Sequence, residues 1–117
     1  MILNDITADG RDAQVLLVDD HPVVRQGLAQ LISQEPDLNV CGEAGSAQEL
    51  FCEIERKRPD IIVLDITLGD ANGLQLIRDI HTRYGEIPAL VLSIHDEKLY
   101  AERALQAGAS GYIMKEA

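Results

Sequence analysis

Positive charge, cysteine and long apolar runs are all scarce in this chain of 117 residues. Its 10 lysines and arginines are outnumbered by 20 aspartates and glutamates, which gives a formal net charge of -10. Nucleic acids and anionic membranes attract clusters of basic residues, so this charge argues against either as a direct partner. No apolar run is long enough for a signal peptide or a transmembrane helix. We therefore expect a cytoplasmic location and no membrane partner.

The few cysteines and histidines do not form a recognisable metal-binding pattern. Cys41 and Cys52 lack CxxC spacing, and we interpret them as reduced thiols that serve as small apolar residues. His21, His81 and His95 are scattered over separate helix or loop starts. They are expected to be solvated side chains rather than a set of metal ligands.

The chain does contain a regular alternation of short apolar runs and stretches with helical periodicity. Residues 1–13 are polar and aperiodic, and are interpreted as a flexible leader to a single domain at residues 14–117. Five apolar runs predict strands, and the stretches between them predict amphipathic helices. This alternation is typical of a doubly wound α/β fold, in which helices cover both faces of a parallel sheet.

Local signals mark several helix ends. Pro22 suits the first turn of the first helix, Ser46 and Glu49 form a capping box before the second, and Gly108 is placed to end the fourth in a left-handed conformation. Apolar residues share one face of the first helix at Val24, Leu28, Leu31 and Ile32. Residues expected to face inward on the later helices are Ala47, Leu50, Phe51 and Ile54 on the second, Leu74, Ile77 and Ile80 on the third, and Leu99 and Ala104 on the fourth.

The predicted alternation calls for one more helix after the fifth strand, and we expect that helix to be missing or truncated because the sequence ends at Ala117. The outward faces of the first helix and of the fifth strand would then lose a cover. Exposed apolar surface tends to find a partner. We therefore expect self-association, as a homodimer or through a helix supplied by a longer parent chain.

Polar side chains stand at the ends of four predicted strands: Asp19 and Asp20, Asp65, Ser93, and Lys115. The carboxyl ends of parallel strands share one edge of the sheet, so these groups should converge there. Taken alone, Asp19 and Asp20 could simply cap the following helix. Three convergent carboxylates, however, repel one another unless a cation neutralises them, and Mg2+ together with Lys115 balances their charge.

This site predicts phosphoryl transfer assisted by a hard divalent metal. Mg2+ prefers oxygen ligands and leaves positions open for phosphate oxygens. Asp65 is the best candidate acceptor, and would form an aspartyl phosphate. Ser93 could donate a hydrogen bond to one phosphoryl oxygen and Lys115 could pair with another.

Four segments resemble, in order and spacing, the receiver domain of two-component response regulators. They are Val-Asp-Asp-His-Pro at 18–22, Leu-Asp-Ile at 64–66, Leu-Ser at 92–93, and Ala-Gly-Ala-Ser-Gly-Tyr-Ile-Met-Lys at 107–115. The resemblance covers about residues 14–117. It implies a flavodoxin-like, five-stranded parallel sheet in the order 2-1-3-4-5.

The resemblance also implies a role for each matching residue. Asp65 corresponds to the phosphoacceptor, and the Mg2+ ligands are Asp20, Asp65 and the Thr67 carbonyl, with Asp19 acting through water. Lys115 pairs with the phosphate, and Ser93 and Tyr112 form the conformational switch. Thr67 and His95 occupy positions that tune the lifetime of the phosphoryl group.

The Asp-His-Pro and Gly-Tyr-Ile-Met-Lys segments are most similar to the NarL/FixJ class, whose members usually carry a LuxR-type helix-turn-helix domain after the receiver. The implied function is a signalling switch rather than an enzyme with a separate substrate. A sensor histidine kinase would phosphorylate Asp65, and the domain would catalyse both its own phosphorylation and its dephosphorylation. DNA binding and transcription regulation would depend on a C-terminal domain that is absent from these residues.

Three alternatives stay open at this point. A haloacid-dehalogenase-like phosphatase also uses an aspartyl nucleophile with Mg2+, but needs a second Asp where this chain has Thr67. A flavodoxin-like cofactor binder needs a phosphate loop where this chain has Asp19 and Asp20, which repel phosphate. An inactive pseudo-receiver is disfavoured because all five active-site positions are filled.

Overall fold

The computed structural model describes residues 12–65, 71–93 and 98–114. Strands and helices alternate along these residues as β1 (Ala13–Val18), α1 (Pro22–Ser33), β2 (Leu38–Ala44), α2 (Ala47–Lys57), β3 (Ile61–Asp65), α3 (Ala71–Arg83), β4 (Ala89–Ser93), α4 (Lys98–Ala107) and β5 (Gly111–Met114). The strands are hydrogen-bonded in the order β2-β1-β3-β4-β5. This confirms the predicted doubly wound α/β fold and its strand order. Within the described residues, β5 is the last element.

The predicted elements agree with the observed ones apart from some of their ends. β1 begins at Ala13, inside the predicted leader, whose residues 1–11 lie outside the described ranges. Gly69 and Gly73 predict a loop over residues 66–72, but α3 already begins at Ala71. These shifts are one or two residues, which is the usual uncertainty of an element boundary.

The chain divides into two compact units, with the division between Ile62 and Val63. In the first unit, β1 and β2 pair in parallel, and an irregularity between Val15 and Leu16 leaves Cys41 out of the register. Five of the six β1 residues are buried, as expected of a strand covered on both faces. Leu50 and Ile54 of α2 are both 0% exposed and complete this core.

The first unit also corrects two expectations about buried residues. Ala47 was predicted to face inward on α2 but is exposed, and Phe51 is half-buried. Both cysteines are free, but Cys52 is exposed and Cys41 only half-buried. Both side chains are therefore free thiols, as expected, and that of Cys52 is exposed rather than packed among apolar residues.

The apolar face of α1 is not buried. No residue of this helix is buried, and Val23, Val24 and Leu31 are exposed by 80%, 37% and 61%. Leu28 and Ile32 are half-buried. Helical spacing correctly placed these residues together, and Val24 and Leu31 are exposed within the described part of the chain.

The caps of α2 follow the sequence signals closely. The Ser46 hydroxyl accepts a hydrogen bond of 3.2 Å from the Glu49 main-chain N–H, and the Glu49 carboxylate accepts one of 2.7 Å from the main-chain N–H of Gly45. The reciprocal bond thus goes to the residue before the N-cap. At the other end, Arg58 takes the left-handed conformation with φ 49°. Arg56 and Lys57 lie in the last turn, where positive charge is favourable.

The second unit is built on β4, β5 and the helices α3 and α4. β4 and β5 pair in parallel from Leu90 with Gly111 to Ser93 with Met114. The inward residues predicted on the two helices are buried where the structure describes them: Leu74, Ile77, Ile80 and Ala104. Leu99 lies outside the described side chains. Gly108 has φ 118°, which confirms the predicted positive-φ end of α4.

Candidate metal and phosphoryl site

The acidic pair Asp19-Asp20 lies in the short connection between β1 and α1. The Asp19 main-chain N–H donates a 3.0 Å hydrogen bond to the Ala44 carbonyl, which continues the pairing of β1 with β2 one residue beyond the strand. Asp19 is 1% exposed, whereas the Asp20 side chain is 66% exposed. The Asp19 carboxylate is therefore buried, whereas the Asp20 carboxylate is accessible to solvent.

Burial of the Asp19 carboxylate requires compensation, because a buried charge is costly unless it is hydrogen-bonded. Its Oδ1 accepts a 2.8 Å hydrogen bond from the His21 main-chain N–H and lies 3.3 Å from His21 Nδ1. The positive end of the α1 dipole adds a favourable field at the same place. His21, not an aspartate, is the N-cap of α1. The interpretation of the aspartates as the helix cap is thus wrong, although Asp19 does bind the N-cap main chain.

His21 lies beside Asp19 and Asp20 and could contribute a third ligand atom. Its sequence position did not predict this. Its Nδ1 lies 2.8 Å from Asp20 Oδ1, and its side chain is 50% exposed. One ligand atom from each of Asp19, Asp20 and His21 falls within 4.8 Å of the others. Adjacent position in the sequence was the only available signal, and it does not reveal a ring orientation.

The donor chemistry of this group fits a divalent cation. Two neighbouring carboxylates supply the oxygen ligands that Mg2+ prefers, and Mg2+ commonly takes only one or two of them from the protein. The carboxylates of Asp19 and Asp20 repel each other because their ligand atoms lie within 4.8 Å, and a bound cation would offset this repulsion. Asp19 and Asp20 are the described residues that would hold the ion.

Arg25 is a second residue that sequence reasoning missed. Its Nη1 donates a 2.7 Å hydrogen bond to the main-chain carbonyl of Asp19, and its Nε donates one of 3.2 Å to Glu43 Oε1. The guanidinium therefore connects α1 to the ends of β1 and β2. Its separation of six residues from Asp19 gave no sequence signal, because the contact is to the main chain.

The other predicted site residues are described in part or not at all. Asp65 is the last residue of β3, Ser93 is the last of β4, and Tyr112 lies in β5. The backbone positions of Asp65 and Ser93 agree with the predicted strand ends. The side chains of Asp65, Ser93 and Tyr112 lie outside the described part of the chain. Thr67, His95 and Lys115 also lie outside the described residues.

Fold and acidic strand end together define a class of protein: a doubly wound α/β domain with carboxylates at the carboxyl edge of its sheet, where such folds bind ligands. The family model of the response regulator receiver domain matches residues 15–117. The chain belongs to this family. The phosphatase and flavodoxin-like alternatives are thereby set aside.

The relatives of this chain include a transcriptional activator and a response regulator. The chain is 44% identical over 103 residues to the DNA-binding transcriptional activator DevR/DosR of Mycobacterium tuberculosis. This alignment covers 88% of this chain and 48% of that protein. It is 38% identical over 106 residues to the nitrate/nitrite response regulator protein NarL of Escherichia coli, with coverage of 89% and 48%. The chain thus spans about half the length of these relatives.

A solved structure shows the same fold. The two-component response regulator of the LuxR family from Aurantimonas sp. SI85-9A1 has a TM-score of 0.82 and 38% sequence identity. The alignment covers 91% of this chain and 76% of that one. The expected similarity to NarL and LuxR-type regulators is confirmed.

None of the helices in the described ranges has the length and hydropathy to span a bilayer.

Proposed function

We propose that this chain is a phosphorylation switch in which Asp65 accepts a phosphoryl group from a phosphohistidine of a sensor histidine kinase. The observation that carries the proposal is the acidic pair of Asp19 and Asp20 directly after β1 in a chain of the receiver family. Asp65 ends β3, and its position at a strand end supports the role of acceptor. A carboxylate is the chemically suitable nucleophile for such a transfer.

In the transfer, a carboxylate oxygen of Asp65 attacks phosphorus, the P–N bond of the phosphohistidine breaks and a P–O bond forms. The kinase histidine leaves as an imidazole. Lys115 pairs with the transferred phosphoryl group, and Ser93 donates a hydrogen bond to it. Asp20, Asp65 and the Thr67 carbonyl, with Asp19 through water, would hold Mg2+, and the ion would supply positive charge against the phosphoryl oxygens.

The reverse change is hydrolysis of the acyl phosphate by water, which restores the Asp65 carboxylate. Thr67 and His95 tune the rate of this step through access of water to phosphorus. Both reactions occur within the domain, so the switch resets itself. The domain acts as a signalling component and turns over no separate substrate.

The phosphoryl group on Asp65 would draw Ser93 and Lys115 toward it, and Tyr112 would move into the space that Ser93 leaves. The surface near α4 and β5 would then change and transmit the signal. The name of the DevR/DosR relative supports a DNA-binding output. This output would depend on a C-terminal domain, since the chain spans about half the length of this relative. With net charge -10, the receiver itself is unsuited to bind DNA.

We also propose a cytoplasmic location with no membrane partner, and self-association as a homodimer. The exposed apolar residues of α1, with Val23 80% and Leu31 61% exposed, support a protein contact at that helix.

The first experiment is intact-mass analysis after incubation with Mg2+ and acetyl phosphate. The wild-type chain should gain one phosphoryl group, and Asp65→Asn should gain none, because an amide is not a nucleophile for this transfer. Asp20→Asn is the matched control: it makes the same chemical change in a metal ligand and should slow uptake without moving the acceptor. Uptake that persists in Asp65→Asn would disprove the assignment, and no uptake by the wild type would favour a pseudo-receiver.

A further inference from the structure

Arg25 holds the main chain at the acidic pair from the first turns of α1. Its side chain is 21% exposed, and each of its two contacts uses a different nitrogen. Nη1 bonds the Asp19 carbonyl at 2.7 Å, and Nε bonds Glu43 Oε1 at 3.2 Å. The carboxylate of Glu43 thereby orients the guanidinium toward Asp19.

The carbonyl of Asp19 belongs to the same planar peptide unit as the main-chain N–H of Asp20. The Asp19 N–H is already bonded to the Ala44 carbonyl at 3.0 Å, and its Oδ1 to the His21 N–H at 2.8 Å. Arg25 supplies a further restraint, on the peptide between the two aspartates. The orientation of that peptide sets the direction in which the exposed Asp20 carboxylate leaves the backbone.

Gly45 provides the room for this arrangement. A β-carbon on Gly45 would lie 2.8 Å from Arg25 Nη1. Among the described glycines only Gly108 has a positive φ, so Gly45 is not required by its backbone conformation. The absent side chain therefore matters because of the guanidinium. An alanine there would push Nη1 away from the Asp19 carbonyl, since Nη1 is the movable end of a flexible side chain.

We infer that Arg25 is a positioning residue for the divalent cation at Asp19 and Asp20, with Gly45 as its required neighbour. The inference rests on the proposed function. It assigns Arg25 a mechanical role rather than an electrostatic one. A positive charge near two carboxylates by itself weakens their attraction for another cation. The two roles consequently predict opposite changes in metal affinity when the charge is removed.

The test measures binding of Mn2+, which shares the preference of Mg2+ for carboxylate and water ligands, through the electron paramagnetic resonance signal of the free ion. Arg25→Lys keeps the positive charge, but its side chain has a single nitrogen in place of the two arginine nitrogens that contact Asp19 and Glu43. It should weaken Mn2+ binding about tenfold, as loss of a residue supporting a metal ligand commonly does. Arg25→Met should weaken it as well, and Gly45→Ala should weaken it in the same direction with the arginine still present.

The matched control is Arg56→Lys. Arg56 forms an ion pair of 2.9 Å with Glu53, and its side chain is 67% exposed. This change should leave Mn2+ binding as in the wild type. Urea unfolding of every variant separates a change of metal affinity from a loss of folded protein. If Arg25→Lys fails to fold, Gly45→Ala still decides the question.

Unchanged Mn2+ affinity in both Arg25→Lys and Gly45→Ala would overturn the inference. Tighter binding by Arg25→Met would overturn it too, because it would show that only the charge matters. The proposed function fails in a different way: the wild type would then bind no Mn2+, or Asp20→Asn would bind it as well as the wild type. The inference alone fails if Asp20→Asn loses Mn2+ and the Arg25 and Gly45 variants retain it.

Discussion

His81 of α3 lies directly against Gly108, the residue that follows α4. A β-carbon on Gly108 would lie 2.4 Å from His81 Cγ and 2.5 Å from His81 Cβ. Gly108 also has φ 118°, a conformation that other residues rarely adopt. The sequence predicted the backbone conformation of this glycine from its place after a helix. The close approach of α3 gives a second and independent reason for the same residue.

Gly108→Ala should lower the free energy of unfolding by about 2–4 kcal/mol, since it combines backbone strain with a steric clash. Urea unfolding monitored by circular dichroism would measure the loss. His81→Ala is the control and should change stability by less than about 0.5 kcal/mol, because His81 is exposed. The double variant should remain destabilised, because the clash with Cβ and the strain both persist. Full recovery in the double variant would show that only the ring matters.

Leu50 and Leu31 form a matched pair for testing which helix face is buried. Leu50 of α2 is 0% exposed and Leu31 of α1 is 61% exposed. Leu50→Ala should cost about 2–5 kcal/mol of unfolding free energy, and Leu31→Ala less than about 0.5 kcal/mol. Urea unfolding at low protein concentration would measure both.

The same Leu31→Ala variant tests the proposed self-association at α1. Light scattering over a range of concentrations should give a mass that rises with concentration for the wild type, and less so for the variant. A wild type that stays monomeric at high concentration would contradict self-association. A large stability loss in Leu31→Ala at low concentration would contradict the exposed position of this side chain.

Burial raises the pKa of the Cys41 thiol above its ordinary value of 9.0, because desolvation disfavours the thiolate. In the Cys52→Ser variant, the rate at which iodoacetamide alkylates Cys41 should therefore rise with pH. Its midpoint should lie at a higher pH in the folded chain than in the same chain unfolded in urea. Because the pKa is higher in the folded chain, the stability that the neutral thiol contributes is present below pH 9.0 and is lost as pH rises through the folded value. A midpoint at or below that of the unfolded chain would refute the shift.

Local residue patterns were enough to predict the strands, the two helix signals at Ser46 and Gly108, and the aspartates after β1. Each of these depends on neighbouring residues: continuous apolar runs give buried strands, and caps are bonds within a few residues. The acidic pair was predictable because both aspartates directly follow the apolar run of β1, and the carboxyl ends of parallel strands lie at the ligand-binding edge of such a sheet.

The contacts that these local features make with distant segments could be known only from the folded chain. Helical spacing placed Val24 and Leu31 on one face, but whether another element covers that face depends on the rest of the chain. The Arg25 bond to the Asp19 carbonyl and the approach of His81 to Gly108 could not be predicted from the sequence either. Main-chain acceptors and absent β-carbons produce no residue pattern. Periodicity records which side chains share a surface, whereas their partners are set by how distant segments pack.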